Sequence, residues 1–351
     1  MTESCCRTWT VRLNGVPEDV THKAVCINGK VYSFNSRPAP RNFVDVFIFA
    51  PASHRWDMVR TQFPHGEQFN NYRNTIVAYG QCAYLWGAPL CWQSPSVIYR
   101  FDTNTMTCSR LEVSGEAPPT IIGNTAGVVG HRMYVFSILG NSHNVRFLDL
   151  DTLEWRRVRT SGEAPVRHAL KTVSTIGTRM YAIGGSPEDP SFALYSFETT
   201  TSSWVRPKVQ GVSPVNRRGH SAFVYNEQLY IFGGYSDILE TYLADMHKYD
   251  PETSCWTEVK PCGLGPSARS CHGCSVMGER VIIFGGLGPA PQLYEGEIAE
   301  EPMALSDLHV LHLAPTLQNL SLLAVIDAQL DLPESLYFIV EMVKAITSHP
   351  S

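Results

Sequence analysis

The stretch Gln228–Gly234, with the sequence QLYIFGG, decides the fold because copies of it recur along the chain. The clearest copies are RVIIFGG at Arg280–Gly286 and RMYAIGG at Arg179–Gly185. Three weaker copies begin at Lys30, Cys82 and Arg132. Six copies therefore follow one another at intervals of about fifty residues, a period that indicates a repeat architecture with one supersecondary unit per copy.

Each copy has the composition of short β-strands that end in a tight turn. β-branched and aromatic residues form runs bounded by Gly, Asp and Pro, which predicts strands, and the glycine pair permits a backbone with positive φ. A tryptophan closes most copies, at Trp56, Trp155, Trp204 and Trp256, whereas the second copy has Met106–Cys108 at that place. The Gly-Gly pair, the closing tryptophan and the period together resemble the kelch repeat. The resemblance implies an all-β fold, a six-bladed kelch β-propeller with four strands per blade.

The two ends of the repeat region indicate how the ring closes. The sixth repeat ends near His312 without a closing tryptophan strand, while Thr8–Leu13 (TWTVRL) precedes the first repeat and matches Cys255–Val259 (CWTEV). We therefore expect the N-terminus to supply the outer strand of the last blade, which leaves no unpaired sheet edge there. The predicted propeller domain spans residues 7–313, and a separate tail spans residues 314–351.

Composition limits the classes of partner. The chain has 351 residues, 44% of them hydrophobic and 17% charged, and a formal net charge of −5. A negative balance argues against a general nucleic-acid or membrane surface, because phosphate groups are bound by basic faces. No apolar run reaches the roughly 18 residues of a membrane span, and the polar N-terminus does not resemble a signal peptide.

The cysteines and histidines favour structural roles over catalysis. Ten scattered cysteines, several within predicted strands, are interpreted as free thiols rather than disulfides. Cys271 and Cys274 have the spacing of metal ligands, but alternation along a strand puts them on opposite faces. His22, His220 and His272 recur at one repeat position, which indicates a structural role. We therefore predict no catalytic residues, no cofactor and no metal; a copper oxidase, known among kelch propellers, is the enzymatic alternative.

Strand order predicts which loops meet. In an up-and-down blade, the loop after strand two and the link into the next strand one emerge on the same face, which becomes the candidate binding surface. The candidate ligand-binding residues on that face are Tyr72, Arg217, Arg218, Tyr235, Arg269 and Ser270. Guanidinium groups beside aromatic rings suit a peptide that carries a carboxylate. The alternative is that arginines in front of strand one hold loops and pair with neighbouring acids.

The tail differs in kind from the repeats. Between Thr316 and Ile326 the apolar residues have the spacing of a helix stripe, and Thr316 after Pro315 suits a helix cap. A second stretch of helical spacing begins at Leu332–Pro333. We therefore predict a C-terminal helical tail outside the closed ring, which either packs against the propeller or presents its apolar face to a partner.

Two short patterns in the tail resemble the docking boxes of ubiquitin ligase receptors. Thr316, Leu317, Leu320, Ser321 and Val325 are similar to the BC-box, which binds Elongin-C, with Ser321 at the usual cysteine position. Leu332, Pro333, Leu336 and Val340 are similar to a Cullin-2 box. With six kelch repeats before them, these patterns resemble the kelch-repeat substrate receptors of Cullin-2 RING ubiquitin ligases.

The resemblance implies a non-catalytic protein that binds Elongin-B, Elongin-C and Cullin-2 with its RING subunit. Its propeller face would bind substrates that end in glycine through their free C-termini, for proteasomal degradation, in the cytoplasm and also the nucleus. Relatives carry arginines after the Gly-Gly pair of the fourth blade, where this chain has Ser186–Asp189 (SPED). The second hypothesis is a kelch scaffold without ligase function that binds a cytoskeletal or chromatin partner.

Overall fold

The structure of the protein is a computed structural model. It describes residues 7–14, 23–35, 43–50, 55–62, 74–87, 97–118, 125–136, 145–165, 172–184, 192–290, 292–293, 297–298 and 302–314. The predicted helical tail lies outside these residues, apart from Ala314. Within the described part there is no helix that is long and apolar enough to cross a membrane.

The first two blades are four-stranded antiparallel sheets whose strands pair in sequence order. An N-terminal strand, β1 (Thr8–Asn14), precedes them. Blade one contains β2 (Lys23–Ile27), β3 (Lys30–Asn35), β4 (Phe43–Ala50) and β5 (Arg55–Gln62). Blade two contains β6 (Asn74–Tyr79), β7 (Cys82–Gly87), β8 (Val97–Asp102) and β9 (Thr107–Arg110).

Blades three to five carry a fifth, two-residue strand that pairs in parallel with the outer strand. Blade three contains β10 (Ser114–Gly115), β11 (Thr125–Val129), β12 (Arg132–Phe136), β13 (Val145–Asp149) and β14 (Glu154–Val158). Blade four contains β15 (Ser161–Gly162), β16 (Thr172–Ile176), β17 (Arg179–Gly184), β18 (Ala193–Glu198) and β19 (Ser203–Val205). Blade five contains β20 (Gln210–Gly211), β21 (Ser221–Tyr225), β22 (Gln228–Ser236), β23 (Thr241–Asp250) and β24 (Cys255–Val259).

Blade six joins the beginning and the end of the propeller region, as the sequence predicts. Its own strands are β25 (Gly273–Met277), β26 (Arg280–Phe284) and β31 (Asp307–His312), and β1 pairs antiparallel with β31 as the outer strand. Between β26 and β31 lie two short ribbons, in which β27 (Leu287–Gly288) pairs with β30 (Met303–Ala304), and β28 (Gln292–Leu293) with β29 (Glu297–Ile298). The register places Thr8 opposite His312 and Trp9 opposite Leu311. The predicted closure of the ring by the N-terminal strand is confirmed.

The apolar core lies between the blades. Each junction between neighbouring blades in the described part is filled by one cluster of buried side chains. At the junction that closes the ring, Val31 and Phe49 of blade one pack with Ile282 and Phe284 of blade six. The innermost strands also contact their neighbours all the way round, including β2 with β25. These contacts make the described blades a closed six-bladed propeller.

The links between blades depend on glycine. Gly115, Gly162, Gly211 and Gly263 have φ values near +80° and press against the outer strand of the blade they enter. A Cβ on Gly211 would lie 2.2 Å from the carbonyl oxygen of Trp256, a distance that no side chain tolerates. At Gly263 the corresponding oxygen belongs to Trp9, at 2.7 Å. The N-terminal strand therefore occupies the same place in blade six as the tryptophan strands of blades three to five.

The recurring histidines connect neighbouring blades, in agreement with the structural role predicted for them. The imidazole Nε2 of His220 lies 3.0 Å from the Thr172 hydroxyl of blade four. His272 Nε2 lies 2.8 Å from the Ser221 hydroxyl of blade five. Burial, and then the charge of Arg269, lower the pKa of His272 to about 3, so that this imidazole is neutral at physiological pH. His22 lies outside the described residues.

Candidate functional site

The face predicted from strand order is built by hydrogen bonds between a linker and a loop. In blade five, Arg218 in front of strand one and Tyr235 after the double glycine exchange two backbone hydrogen bonds, of 2.9 and 2.8 Å. In blade six, Ser270 and Leu287 exchange the equivalent pair, both of 2.8 Å. The two loop types of these blades therefore meet on one face, as expected.

Arg217 lies under this face rather than on it. Its side chain is fully buried and forms a bidentate ion pair with Asp245, with N–O distances of 2.6 and 2.7 Å. It also donates to the carbonyl oxygens of Val215 and Gly233. Burial alone would raise the pKa of the Asp245 carboxyl, but hydrogen bonds from His247 and Arg217 outweigh it and hold this pKa well below its usual range. Arg217 thus holds the linker to the double glycine.

Arg269 repeats this arrangement one blade later. Its guanidinium is fully buried and pairs with both carboxylate oxygens of Asp307, at 2.7 and 2.9 Å. Its other N–H groups donate to the Gly285 carbonyl, the Ser267 carbonyl and the Ser267 hydroxyl. All five donors are therefore occupied within the blade. The structure places both Arg217 and Arg269 in the loop-holding role that was the alternative to ligand binding.

Arg218 is the predicted arginine that reaches the surface. Its side chain is 58% exposed, and it forms an ion pair of 2.9 Å with Asp237, which is 53% exposed. The guanidinium lies over the ring of Tyr235, 4.9 Å from its centre. Tyr235 in turn packs edge-to-face against Tyr242, with 5.0 Å between ring centres. We call Arg218, Tyr235 and Tyr242 the blade-five platform.

Cys271 of blade six lies beside the platform, because its backbone amide donates to the carbonyl oxygen of Gly219, next to Arg218, at 2.7 Å. Burial, and then Tyr235 and the Cys271 thiol, raise the pKa of Tyr242, while the positive charge of Arg218 lowers it. Burial lowers the pKa of Lys23 in blade one to about 8, and Cys271 acts in the opposite direction. The charge state of Cys271 therefore affects both Tyr242 and Lys23. Lys23 is still mostly protonated at neutral pH.

Of the remaining predicted site residues, only Ser270 lies in the described part of the chain. Ser270 is only 5% exposed and serves the backbone pairing with Leu287. Tyr72, the loop Ser186–Asp189, and both docking boxes in the tail lie outside the described residues. The docking boxes consist of the Elongin-box residues Thr316, Leu317, Leu320, Ser321 and Val325, and the cullin-box residues Leu332, Pro333, Leu336 and Val340.

Sequence reasoning missed four residues of this region. Asp245 and Asp307 could have been found, because Asp-x-His recurs as Asp245–His247 and Asp307–His309 on the third strand of consecutive blades. Tyr242 and Lys23 carry no comparable signal. Tyr242 meets Tyr235 through the register of one hairpin. Lys23 lies on β2, which contacts β25 of blade six only because the ring closes. Among the described residues, no three His, Cys, Asp or Glu side chains form a group suited to a metal ion.

Comparison with known proteins agrees with this architecture. The family model described as the KLHDC2/KLHL20/DRC7 Kelch-repeats domain matches residues 73–286. The chain is 32% identical over 350 residues to Kelch domain-containing protein 3 of Bos taurus, covering 92% of this chain and 91% of that protein. Its identity to the Rattus norvegicus protein of that name is 33% over 351 residues, with the same coverage.

A solved structure has the same fold. The protein in "Structure of YjhT" superposes with a TM-score of 0.60 at 16% sequence identity. The match covers 85% of this chain and 96% of that chain. At this identity the likeness concerns the propeller architecture and nothing finer.

Proposed function

Since the chain belongs to the kelch-repeat family of β-propellers, we propose that it is the substrate-recognition subunit of a Cullin-2 RING ubiquitin ligase with Elongin-B and Elongin-C. The observation that carries the proposal is the exposed cationic and aromatic platform on the propeller face, in a chain whose tail has the two docking patterns. The ligand we propose is the free C-terminus of a substrate protein that ends in glycine.

The platform suits a terminal carboxylate on physical grounds. A guanidinium can donate two parallel hydrogen bonds to a carboxylate, and such charge-assisted bonds are stronger than neutral ones. The ion pair of Arg218 with Asp237 is exposed on both sides, and exposed pairs contribute only about 0–1 kcal/mol. A ligand carboxylate can therefore compete with Asp237 for the Arg218 guanidinium at a small cost in free energy. A terminal glycine has no side chain, so its carboxylate can approach closely.

The protein itself performs no chemistry in this proposal. Holding the substrate on the propeller and the ligase on the tail brings lysines of the substrate near the ubiquitin thioester of the conjugating enzyme that the RING subunit recruits. The gain is one of effective concentration, because a tethered reaction replaces a bimolecular encounter. The ubiquitylated substrate is then degraded by the proteasome, in the cytoplasm and the nucleus.

Reversing the charge of Arg218 is expected to weaken capture of a glycine-ended peptide by about 10- to 100-fold, because one or two charge-assisted hydrogen bonds are lost. The measurement is fluorescence anisotropy with a labelled peptide and the Arg218→Glu variant. Amidating the carboxylate of the peptide should weaken binding to the wild type by a similar factor. Arg217 and Arg269 are unsuitable for this test, since their charge reversal would disrupt a buried ion pair.

Arg156→Glu is the matched control for this experiment. Arg156 is 55% exposed and pairs with Glu154 at 2.7 Å, as Arg218 pairs with Asp237, but it lies on the outer strand of blade three. It should leave peptide affinity unchanged. Equal binding of acid and amide peptides by the wild type would exclude recognition of a carboxylate.

The ligase assignment is tested by co-purification. Elongin-B, Elongin-C and Cullin-2 are expected to follow the wild-type chain from a cell lysate, and Leu317→Arg is expected to remove all three, because a buried cation in the Elongin contact would be unpaired. The same variant should retain peptide affinity. Absence of Elongin from the wild-type preparation would contradict the assignment and favour a scaffold without ligase function.

A further inference from the structure

The β22–β23 hairpin continues past the double glycine and ends in an apolar turn. Its last paired residues are Ser236 and Thr241, and the turn between them is residues 237–240, with the sequence DILE. The two central side chains, Ile238 and Leu239, are 52% and 54% exposed. Turns favour Gly, Asn, Asp and Ser, and four other hairpin turns each contain Gly or Asn, at residues 28–29 (NG), 177–178 (GT), 226–227 (NE) and 278–279 (GE). The turn itself therefore does not require the apolar pair.

Contacts within the hairpin hold this turn in place. The backbone amide of Leu239 donates to the Ser236 hydroxyl at 3.3 Å, and Ser236 is fully buried. Glu240 closes the turn with a positive φ of 50°. At the base, a Cβ on Gly234 would lie 3.0 Å from the carbonyl oxygen of Arg218, so the hairpin fits closely against the linker. Contacts to a preorganised turn cost less conformational entropy than contacts to a mobile loop.

The apolar turn adjoins the blade-five platform. Tyr235 and Tyr242 form the hairpin pair just below the last one, so the turn begins one residue pair beyond them. Asp237, the first residue of the turn, accepts both of its hydrogen bonds with Arg218 from the guanidinium Nε. No described residue accepts a hydrogen bond from Nη1 or Nη2 of Arg218, so both groups remain for a ligand carboxylate. The carboxylate position and the apolar turn thus belong to one continuous surface.

The distance from Arg218 to the turn determines which part of a ligand can reach it. The Arg218 Nε is 2.9 Å from the Asp237 carboxylate, and Ile238 and Leu239 follow at Cα steps of about 3.8 Å. Both side chains therefore start within roughly 14 Å of the guanidinium. An extended chain advances about 3.3 Å per residue. A peptide bound at Arg218 by its carboxylate can thus reach the turn with the three residues in front of a terminal glycine.

We infer that Ile238 and Leu239 form an apolar subsite for the substrate, so that the preferred ligand is a glycine-ended chain with a large aliphatic side chain among the three residues before the glycine. The inference rests on the proposed function, because a carboxylate at Arg218 fixes where the preceding residues lie. Arg218 supplies affinity for a free C-terminus, and the apolar pair distinguishes one glycine-ended chain from another.

Fluorescence anisotropy with a set of labelled peptides tests the inference. The reference peptide ends in Ser-Ser-Ser-Gly, and each of three others replaces one of these serines by leucine. The wild type is expected to bind one of the leucine peptides about 5- to 20-fold more tightly than the reference, because a leucine side chain is removed from water. The double variant Ile238→Ser/Leu239→Ser should reduce this preference to less than about twofold and leave affinity for the reference peptide unchanged.

Leu264→Ser is the matched control. Leu264 is also an exposed leucine, at 78%, but lies in the linker between β24 and β25 instead of on this hairpin. Its variant should keep the full preference for the leucine peptide. The unfolding midpoints of both variants should match that of the wild type, which establishes that the fold is retained.

The outcomes separate the subsite from the function on which it rests. If the acid and amide forms of the reference peptide bound equally, both proposals would be wrong. If the wild type preferred the acid but bound all four peptides alike, only the subsite would be wrong. The same holds if the preference for leucine survived the double variant, or if that variant weakened all four peptides equally. A dimer in sedimentation that the double variant dissociates would assign the apolar pair to a second copy of the chain instead.

Discussion

Arg269→Leu is expected to lower the free energy of unfolding by about 3–5 kcal/mol, a large part of the 5–15 kcal/mol typical of a folded domain. The reason is the burial of the partner. Removing the guanidinium leaves the Asp307 carboxylate, only 10% exposed, with His309 as its charge-stabilising neighbour. The variant also removes hydrogen bonds to Ser267 and Gly285, which hold the linker and the double glycine together. The measurement is the midpoint and slope of denaturant-induced unfolding.

Arg218→Leu is the control for this experiment, because it is the same substitution in an exposed ion pair on the same face. It should change stability by less than about 1 kcal/mol. Replacing both partners, as Arg269→Leu with Asp307→Leu, should recover part of the loss, because no buried charge is then left unpaired. A loss below about 1 kcal/mol for Arg269→Leu alone would contradict the structural role of this arginine.

Trp9→Ala is expected to cost about 3–5 kcal/mol, the range for truncating a buried large aromatic side chain. Trp9 is 6% exposed and packs edge-to-face on Phe232 and on the His309 ring, with 6.0 and 6.1 Å between ring centres. Its backbone amide donates to the Cys262 carbonyl at 2.9 Å. Denaturant unfolding again provides the measurement.

Equivalent and exposed positions supply the comparison for Trp9. Trp256→Ala in blade five should cost a similar amount, because both tryptophans stand at the start of an outer strand beside a linker glycine. Met58→Ala, at a side chain that is 52% exposed on the outer strand of blade one, should cost less than about 0.5 kcal/mol. If Trp9→Ala behaved like Met58→Ala, the N-terminal strand would not seal the ring in solution.

The fold was predictable from the sequence because its signals are periodic and redundant. Three features recur together, namely the Gly-Gly pair, the preceding aromatic residue and the closing tryptophan. A copy with an incomplete pattern, such as the one that begins at Cys82, can therefore still be identified from its spacing to the adjacent copies. The match of Trp9 to Trp256 even predicted the strand that crosses from one end of the chain to the other. These predictions depend only on which residue types recur, and at what spacing, along the chain.

The candidate site was only partly predictable, because side-chain partners are not periodic. Arg217 and Arg218 are adjacent in sequence and were interpreted alike, yet one is buried against Asp245 and the other is exposed beside Asp237. This difference in burial follows from alternation along an extended segment, in which successive side chains point to opposite sides. Which of the two side chains points inward depends on the backbone pairing of Arg218 with Tyr235. No local sequence pattern predicts this pairing.

Closure by the N-terminal strand has a consequence for biosynthesis. Residues 8–14 leave the ribosome about 300 residues before their partners at 307–312 are made. At the usual 5–20 residues per second, the segment waits roughly 15–60 s before its partner strand exists. During that interval the edge of the nascent strand β1 is open to mispairing, so folding of this chain should be sensitive to chaperones that bind nascent chains and to the speed of translation.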